Sequence, residues 1–168
     1  SREGRGVSKN YQEALKWFRL SAEQKFPLGQ NNLGSMYDEG LGVPQDYNAA
    51  IKWYRLSAEQ GSYSGQNSLG YMYEYGHGVP QDHKEAVKWY RLSADQGKAT
   101  AQTTLGMMYD DGKGVPQDYK EAVKWYRLSA EQGDAFAQSN LGVMYTNGQG
   151  VPQDYALAHM WFNLSGSN

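Results

Sequence analysis

One spacing constrains this chain more than any other feature: the dipeptide Gly-Val recurs every 36 residues, at Gly6, Gly42, Gly78, Gly114 and Gly150. From the second copy onward the dipeptide opens the motif GVPQD, and a block close to KWYRLSA follows each time. Between these blocks lies another, built on Leu-Gly and Met-Tyr. Self-similarity at a fixed period of this length is typical of proteins that stack one structural unit. The register never slips, which predicts an uninterrupted repeat array.

Each unit is predicted to form two helices, helix A near residues 27–39 of the first complete copy and helix B near 47–60. Gly40 predicts a left-handed residue at the end of helix A, because glycine adopts positive φ without steric cost. The proline of the motif holds the preceding residue extended, and Asp46 is then placed as the N-cap of helix B. The glycines therefore indicate turns rather than a phosphate-binding loop, which would need a Lys-Ser/Thr and a preceding strand.

Two further expectations concern the ends of helix B. A glutamate three residues after the cap predicts a reciprocal capping box in the pairs Asn10–Glu13, Asp82–Glu85 and Asp118–Glu121. Glycine is expected to end helix B at Gly61, Gly97 and Gly133. The first copy has Lys25 at that place, which predicts a turn that is either strained or differently shaped.

The apolar pattern predicts which faces are buried. In helix A the side centred on Leu33 scarcely changes between copies, whereas the opposite side varies, as expected for a surface free of packing constraints. Helix B is apolar on two nearly opposite sides, with Tyr54 on one and Trp53 on the other. A helix of this kind must be packed between neighbours, which predicts a solenoid.

The pattern LGxMYxxGxGVxxDxxxAxxWYRxSAEQG, read here from residues 33–61, resembles the Sel1-like repeat, a relative of the tetratricopeptide repeat. The resemblance implies an all-α fold, a right-handed α-solenoid of antiparallel helix pairs whose concave wall is made by the A helices. It also implies a role as a scaffold or adaptor between proteins. The expected units form a single domain, residues 1–168: a half repeat 1–26, repeats 27–62, 63–98 and 99–134, and a truncated last repeat 135–168.

The variable side of helix A is therefore the predicted ligand-binding groove. Tyr71, Met107 and Val143 are its expected apolar anchors, and an acidic row beside them predicts a protein or peptide partner of basic character. Asn31, Asn67 and Thr103 are expected to bond the backbone of that partner. The full predicted wall is Leu28, Asn31, Ser35, Asp38, Glu39, Ser64, Asn67, Tyr71, Glu74, Tyr75, Thr100, Thr103, Met107, Asp110, Asp111, Phe136, Ser139, Val143, Thr146 and Asn147.

A basic stripe on helix B offers an alternative surface, for nucleic acid or an acidic partner. The stripe consists of Lys16, Arg19, Lys52, Arg55, Lys84, Lys88, Arg91, Lys120, Lys124 and Arg127. Acidic residues one turn further along favour a solvated convex face with i,i+4 pairing instead. The whole chain has 16 basic and 18 acidic residues, so no bulk charge favours nucleic acid, and none is expected as a partner.

The chain offers little for chemistry. It has no cysteine, and His77, His83 and His159 have no second ligand at metal spacing, so no metal or cofactor is expected. Some relatives of the resembled family have been called β-lactamases, but no serine is followed by lysine three residues on. A hydrolase is therefore only the third alternative, and the chain is interpreted as not an enzyme. No membrane span, of about 20 apolar residues, and no targeting segment is found, which leaves the localisation open.

The chain begins and ends inside repeat units, so both ends are expected to be cut. Trp17 and Leu20, or Trp161 and Leu164, should then be partly exposed where a further helix A would normally pack. An uncovered apolar end predicts head-to-tail self-association.

Overall fold

The computed structural model describes residues 2–166, which form nine α-helices and no strand. Their bounds are α1 Arg2–Glu23, α2 Pro27–Glu39, α3 Tyr47–Glu59, α4 Tyr63–Tyr75, α5 His83–Asp95, α6 Ala99–Asp111, α7 Tyr119–Ala130, α8 Ala135–Asn147 and α9 Tyr155–Gly166. The even-numbered helices are the predicted A helices and the odd-numbered ones the B helices. The predicted all-α alternation is confirmed over these residues.

The chain divides into two compact units, Ser1–Asp82 and His83–Asn168. In the first unit α1 packs on α2, α2 on α3 and α3 on α4, and the two A helices α2 and α4 also touch. In the second unit each helix from α5 to α9 packs on the next one along the chain. This sequential packing buries helix faces that a single repeat cannot bury alone.

Helix α1 begins at Arg2, well before the predicted start near Asn10. Asn10 lies inside the helix, so it caps nothing and the predicted Asn10–Glu13 capping box is wrong. The difference has a cause in the sequence: residues 8–10 are Ser-Lys-Asn, where later copies have Pro-Gln-Asp. Without the proline, no residue here is forced out of the helical region.

The turn from helix A to helix B is held by three residues of the repeat. Gly40 has φ 68°, and its N–H donates to the Met36 carbonyl. The Asp46 carboxylate accepts from the Ala49 N–H at 3.0 Å, as predicted for an N-cap. Gln45 adds a bond that sequence reasoning missed, because its Nε2 donates to the Asp38 carbonyl at the end of helix A, at 2.7 Å. The glutamines of the other three PQD motifs make the same bond, at 2.6–2.8 Å.

The predicted capping box of α7 is wrong in one half. Asp118 caps α7 as expected, but its own N–H donates to the Tyr109 carbonyl of helix A at 2.9 Å. Glu121, which should bond back to that N–H, pairs with a lysine in the next turn instead. At α5 the Asp82 N–H likewise donates to the Tyr73 carbonyl, at 2.9 Å, and Glu85 pairs with Lys88. A contact between helices has replaced one within the helix.

The glycine of the Leu-Gly pair lets a tyrosine of helix B lie directly against helix A. Tyr54 is 3% exposed, and a Cβ added to Gly34 would lie 2.7 Å from its ring. Gly106 and Tyr126 repeat this arrangement in the second unit, with the same 2.7 Å approach. Any larger residue at these glycines would displace a buried ring.

The turn after helix B is left-handed in the first four copies. Gly61 and Gly97 both have φ 84°, and Gly133 has φ 91°. Lys25 takes the equivalent place with φ 64°, and it is the one residue other than glycine between residues 2 and 166 with positive φ. Of the two outcomes predicted for this turn, the structure has the strained one.

Candidate functional site

The outward side of the A helices carries nearly all of the predicted groove residues. Those that are exposed are Leu28, Glu39, Tyr71, Tyr75, Thr100, Met107, Asp111, Phe136, Val143 and Asn147. Those that are partly exposed are Asn31, Ser35, Asp38, Ser64, Asn67, Glu74, Asp110, Ser139 and Thr146. We refer to these two groups together as the A-face.

Thr103 is the exception, since it is only 7% exposed and belongs to the interior. Its hydroxyl lies 2.7 Å from the Ser129 Oγ and donates to the Asp134 carboxylate at 3.1 Å. Its predicted role in bonding the backbone of a ligand is therefore wrong. Asn31 also has an internal partner, because its Oδ1 accepts from the Ser68 hydroxyl at 3.1 Å. The prediction failed here because a threonine hydroxyl satisfied inside the protein cannot be told from a free one by helix position alone.

Four aromatic rings meet on the A-face of the first unit, and we call them the tyrosine–histidine cluster: Tyr47, Tyr71, Tyr75 and His77. Tyr47 and His77 are stacked, with ring centroids 4.4 Å apart and planes 13° apart. The ring centroid of Tyr71 lies 4.6 Å from that of Tyr75 and 5.6 Å from that of His77. Sequence reasoning found Tyr71 and Tyr75 but considered His77 only as a metal ligand, and rejected it. The signal that it missed was that Tyr75 and His77 replace non-aromatic residues in the same copy.

Asp38 lies beside this cluster. Its carboxylate accepts a hydrogen bond from the Tyr54 hydroxyl at 3.2 Å. Burial raises the pKa of the Asp38 carboxyl above its ordinary value, and the Tyr54 hydrogen bond and the His77 charge oppose that shift without reversing it. Partial burial, followed by the charge of Asp38, likewise raises the pKa of the Tyr71 hydroxyl. The cluster and the carboxylate therefore form one electrostatically coupled site.

The second unit keeps the carboxylate but not the rings. Asp110 accepts from the Tyr126 hydroxyl at 3.2 Å, and burial again raises the pKa of its carboxyl. At the position of His77 stands Lys113, whose Nζ pairs with Asp111 at 3.1 Å. In the next copy Asn147 and Gln149 hold the same two places and are joined by an amide hydrogen bond of 3.1 Å.

The arginines of the helix B stripe donate hydrogen bonds to tyrosines of the A helices. Arg55 donates to the hydroxyl of Tyr73 at 2.8 Å, and Arg127 to that of Tyr145 at 2.8 Å. Arg91 donates to the Tyr109 hydroxyl in the same way. Two lysines of the stripe form ion pairs at i,i+3 spacing, Lys88 with Glu85 and Lys124 with Glu121. The arginines of the stripe therefore tie helix B to helix A.

The prediction of uncovered ends can be compared with the exposure of Trp17 on α1 and of the apolar residues on α9. Trp17 is 56% exposed, whereas the equivalent Trp125 inside the second unit is 5% exposed. Trp161 is half-buried against the core of that unit. Leu20 and Leu164 are no evidence for an uncovered end, because the leucine at this position is 41–47% exposed in all five copies.

Over the part of the chain that the structure describes, no three His, Asp or Glu side chains lie close enough together to hold a metal ion. None of the helices between residues 2 and 166 combines the length and the apolar character needed to cross a membrane.

Paired helices repeated at one spacing define the class of helical repeat proteins. The Sel1 repeat matches residues 1–26, 27–62, 64–98, 99–134 and 135–168, so the chain belongs to the Sel1 repeat family. Proteins of this family are generally scaffolds for protein–protein interaction. A search of curated protein sequences found no match to the chain.

Solved structures support the assignment. The chain is 42% identical to c5321, a protective antigen of uropathogenic Escherichia coli with an SLR fold, with a TM-score of 0.89 over 94% of this chain and 34% of that one. It is 38% identical to a Sel1 repeat protein from Oxalobacter formigenes, with a TM-score of 0.87 over 94% of this chain and 62% of that one. Helicobacter pylori cysteine rich protein B shares the fold at 23% identity, with a TM-score of 0.62 over 78% of this chain and 94% of that one. The chain thus spans about a third of the E. coli protein and 62% of the Oxalobacter protein.

Proposed function

We propose that this chain is a scaffold or adaptor that binds a protein segment of net positive charge on its A-face. The observation that carries the proposal is the exposure of Tyr71, Met107 and Val143, which are 40%, 46% and 43% exposed. These residues hold one equivalent position of α4, α6 and α8. Large apolar side chains left in solvent at a repeated position support a contact surface, because such residues supply most of the affinity in protein interfaces.

The charge of the A-face supports a basic partner. Asp38, Glu39, Asp110 and Asp111 lie beside the apolar residues, and the structure gives Asp38 and Asp110 a tyrosine as hydrogen-bond partner rather than a cation. Carboxylates of this kind attract a basic segment during its approach and discriminate against an acidic one.

The test uses basic, neutral and acidic peptides of equal length and measures their binding over a range of salt concentrations. Replacing Tyr71 and Met107 by alanine should weaken binding of the basic peptide at every salt concentration. Replacing Asp110 and Asp111 by asparagine should weaken it mainly at low salt, where screening is slight. Lys88→Ala, on the outer side of α5, is the matched control. Binding that responds to Lys88→Ala and ignores the four A-face changes would move the interface to helix B.

We also propose that this repeat region acts without catalysis. The sequence has no Ser-x-x-Lys, and the general scaffold role of Sel1 repeat proteins supports the same view. Pure protein should therefore leave a chromogenic β-lactam unchanged. Turnover that a single substitution abolishes would contradict this part of the proposal.

A second interaction is proposed from the two apolar surfaces on α1 and α9. Trp17 is 56% exposed on α1, and Met160 and Phe162 are 42% and 39% exposed on α9. We expect copies of this 168-residue chain to associate head to tail through these surfaces. Sedimentation at rising concentration should show association that Phe162→Lys reduces. A monomer at all concentrations would contradict it.

A further inference from the structure

We propose that the tyrosine–histidine cluster and Asp38 form a binding site for one arginine side chain of the bound segment. The inference rests on the proposed function and adds to it the chemistry of a single anchor. All of its residues lie within the first unit, between Asp38 and His77. It predicts one preferred place for arginine on an otherwise general binding surface.

The rings provide a platform that solvent can reach. Tyr71 is 40% exposed and Tyr75 is 55% exposed, and the two rings lie 4.6 Å apart with their planes tilted by 43°. The ring centroid of His77 lies 6.1 Å from that of Tyr75, and the His77 ring is stacked on Tyr47. The outer tyrosines are therefore held in place by other rings. A preorganised aromatic face attracts a cation through its quadrupole, and the guanidinium group is the cation found most often in such contacts.

Asp38 supplies a carboxylate whose direct partner is a hydroxyl group rather than a cation. Its side chain has a hydrogen bond to Tyr54, and no ion pair is formed with it anywhere in residues 10–166. The carboxylate is already half-buried, and burial raises its pKa. Much of the desolvation that accompanies ion pairing has therefore occurred before the ligand arrives. A cation that reaches it gains more than it would from a fully hydrated carboxylate, because the local dielectric is lower.

Arginine fits these two features better than lysine. Its guanidinium is planar and weakly hydrated, so it can lie on a tyrosine ring while its edge donates two parallel hydrogen bonds to a carboxylate. A lysine ammonium is a compact, strongly hydrated point charge, and it offers no flat face to the rings. Glu39 lies close enough to Asp38 for its charge to raise the pKa of that carboxyl. An acidic ligand side chain would be repelled by both.

The second unit shows why the site is specific to the first. At the positions of Tyr71, Tyr75 and His77 it has Met107, Asp111 and Lys113. Lys113 already pairs with Asp111 at 3.1 Å, so a cation of the protein itself lies beside the A-face carboxylates of the second unit. An incoming arginine would have to displace that lysine, and it would meet Met107 and Asp111 in place of the two exposed tyrosine rings. The arginine site is thus expected in one copy only.

The experiment titrates the full chain with N-acetyl-arginine-N-methylamide and follows the ring resonances of Tyr47, Tyr71, Tyr75 and His77 by NMR. The matching derivatives of lysine and of citrulline, which has the shape of arginine without its charge, are titrated in parallel. We expect saturable shifts confined to the cluster, with citrulline binding at least about tenfold more weakly, as expected for the loss of a charge-assisted hydrogen bond. Equal binding of citrulline and arginine would overturn the proposal.

Two variants make the test specific. Tyr71→Met/Tyr75→Asp/His77→Lys installs the residues of the next copy, which the same backbone already accommodates, and should abolish arginine binding. Asp38→Asn keeps the acceptor for Tyr54 and should weaken arginine binding about tenfold while leaving citrulline unchanged. Lys88→Ala, in the second unit and outside the A-face, should have no effect. Arginine binding that is unaffected by Asp38→Asn or by the triple variant would refute the site.

The outcome separates this inference from the proposed function. If basic peptides bind in a way that depends on Tyr71 and Met107, but arginine and citrulline bind alike, only the arginine site is wrong. If the arginine derivative binds the cluster while no peptide binds the A-face, the proposed function fails and the site stands.

Discussion

The two units of the chain carry different chemistry on nearly the same frame. In the first unit the positions of Tyr71, Tyr75 and His77 form an aromatic cluster. In the second, the equivalent positions hold a methionine and the ion pair of Asp111 with Lys113. Beneath both lies one arrangement, a tyrosine hydroxyl donating to an aspartate at 3.2 Å. The repeat thus separates residues that build the fold from residues that select a ligand.

The shared frame, meaning the buried contacts that both units have in common, tolerates few substitutions because its side chains pack at short distances. A buried tyrosine lies against a glycine in each unit, and the glutamine of each PQD motif bonds the end of its A helix. The A-face above it faces solvent, so substitutions there displace no neighbour. We therefore predict that equivalent substitutions of buried residues change the stability of the two units alike. Equivalent substitutions on the A-face should affect the two units differently.

The largest effect should come from Gly34→Ala and Gly106→Ala. A methyl group would lie 2.7 Å from a ring carbon of Tyr54 or Tyr126, so each buried ring must shift. We expect each change to lower the free energy of unfolding by about 1–3 kcal/mol, as for overpacking in other cores. Denaturant unfolding measures it.

The exposed Asn48→Ala on α3 is the control for these glycines, and it should change stability by less than about 0.5 kcal/mol. If one glycine tolerates alanine and the other does not, the two units do not share a frame.

The frame was predictable because the positions that stay the same from repeat to repeat are those that pack against neighbouring helices. The invariant side of helix A is buried at Leu33, Gly34 and Met36, and the predicted caps Gly40 and Asp46 act as expected. The failures came where two helices compete for one group. The N–H of Asp118 bonds the other helix instead of completing a capping box, and no local sequence pattern shows that a neighbouring carbonyl is within reach.

The candidate site was predictable only as a list of outward positions. Helix geometry placed Tyr71, Tyr75 and Asp38 on one side, but Tyr47 and His77 reach the cluster from a B helix and from a turn. Their meeting depends on how consecutive repeats pack, which a helical wheel does not contain. The same limit explains why the internal partners of Thr103 were missed.

A smaller effect is expected at the turn after helix B. Lys25 and Gly97 have the same backbone bond, to Ala22 and Ala94 at 2.9 Å, and both have positive φ. Because only glycine adopts this conformation without strain, Lys25→Gly should stabilise the protein by about 1 kcal/mol and Gly97→Lys should destabilise it by a similar amount. Thermal unfolding measures both, and effects of the same sign would contradict the shared geometry.

Exchanging the surface should matter less to stability than to binding. Tyr71→Met/Tyr75→Asp/His77→Lys removes the ring contacts of the tyrosine–histidine cluster and can add an ion pair worth about 0.2–1 kcal/mol. Since Tyr71 and Tyr75 are well exposed, we expect a net loss below about 1 kcal/mol in denaturant unfolding. A loss as large as that of Gly34→Ala would mean that the cluster is part of the frame.

The smallest expected effect concerns the two aspartates that both units share. Burial raises the carboxyl pKa of Asp38 and of Asp110 above the ordinary value of 3.8, so the folded state binds the proton more tightly than the unfolded chain. The stability that each group contributes is therefore complete below 3.8 and is lost as the pH rises through the raised pKa. Asparagine accepts the same tyrosine hydrogen bond without a charge, so Asp38→Asn and Asp110→Asn should raise the unfolding temperature at neutral pH, and the gain should vanish in acid. The two gains should have the same sign, because burial is the main cause of both shifts and a neighbouring carboxylate, Glu39 or Asp111, adds to each. Thermal unfolding of both variants across this pH range tests the point. A gain at only one of the two aspartates would show that the two units do not hold these carboxylates in the same way.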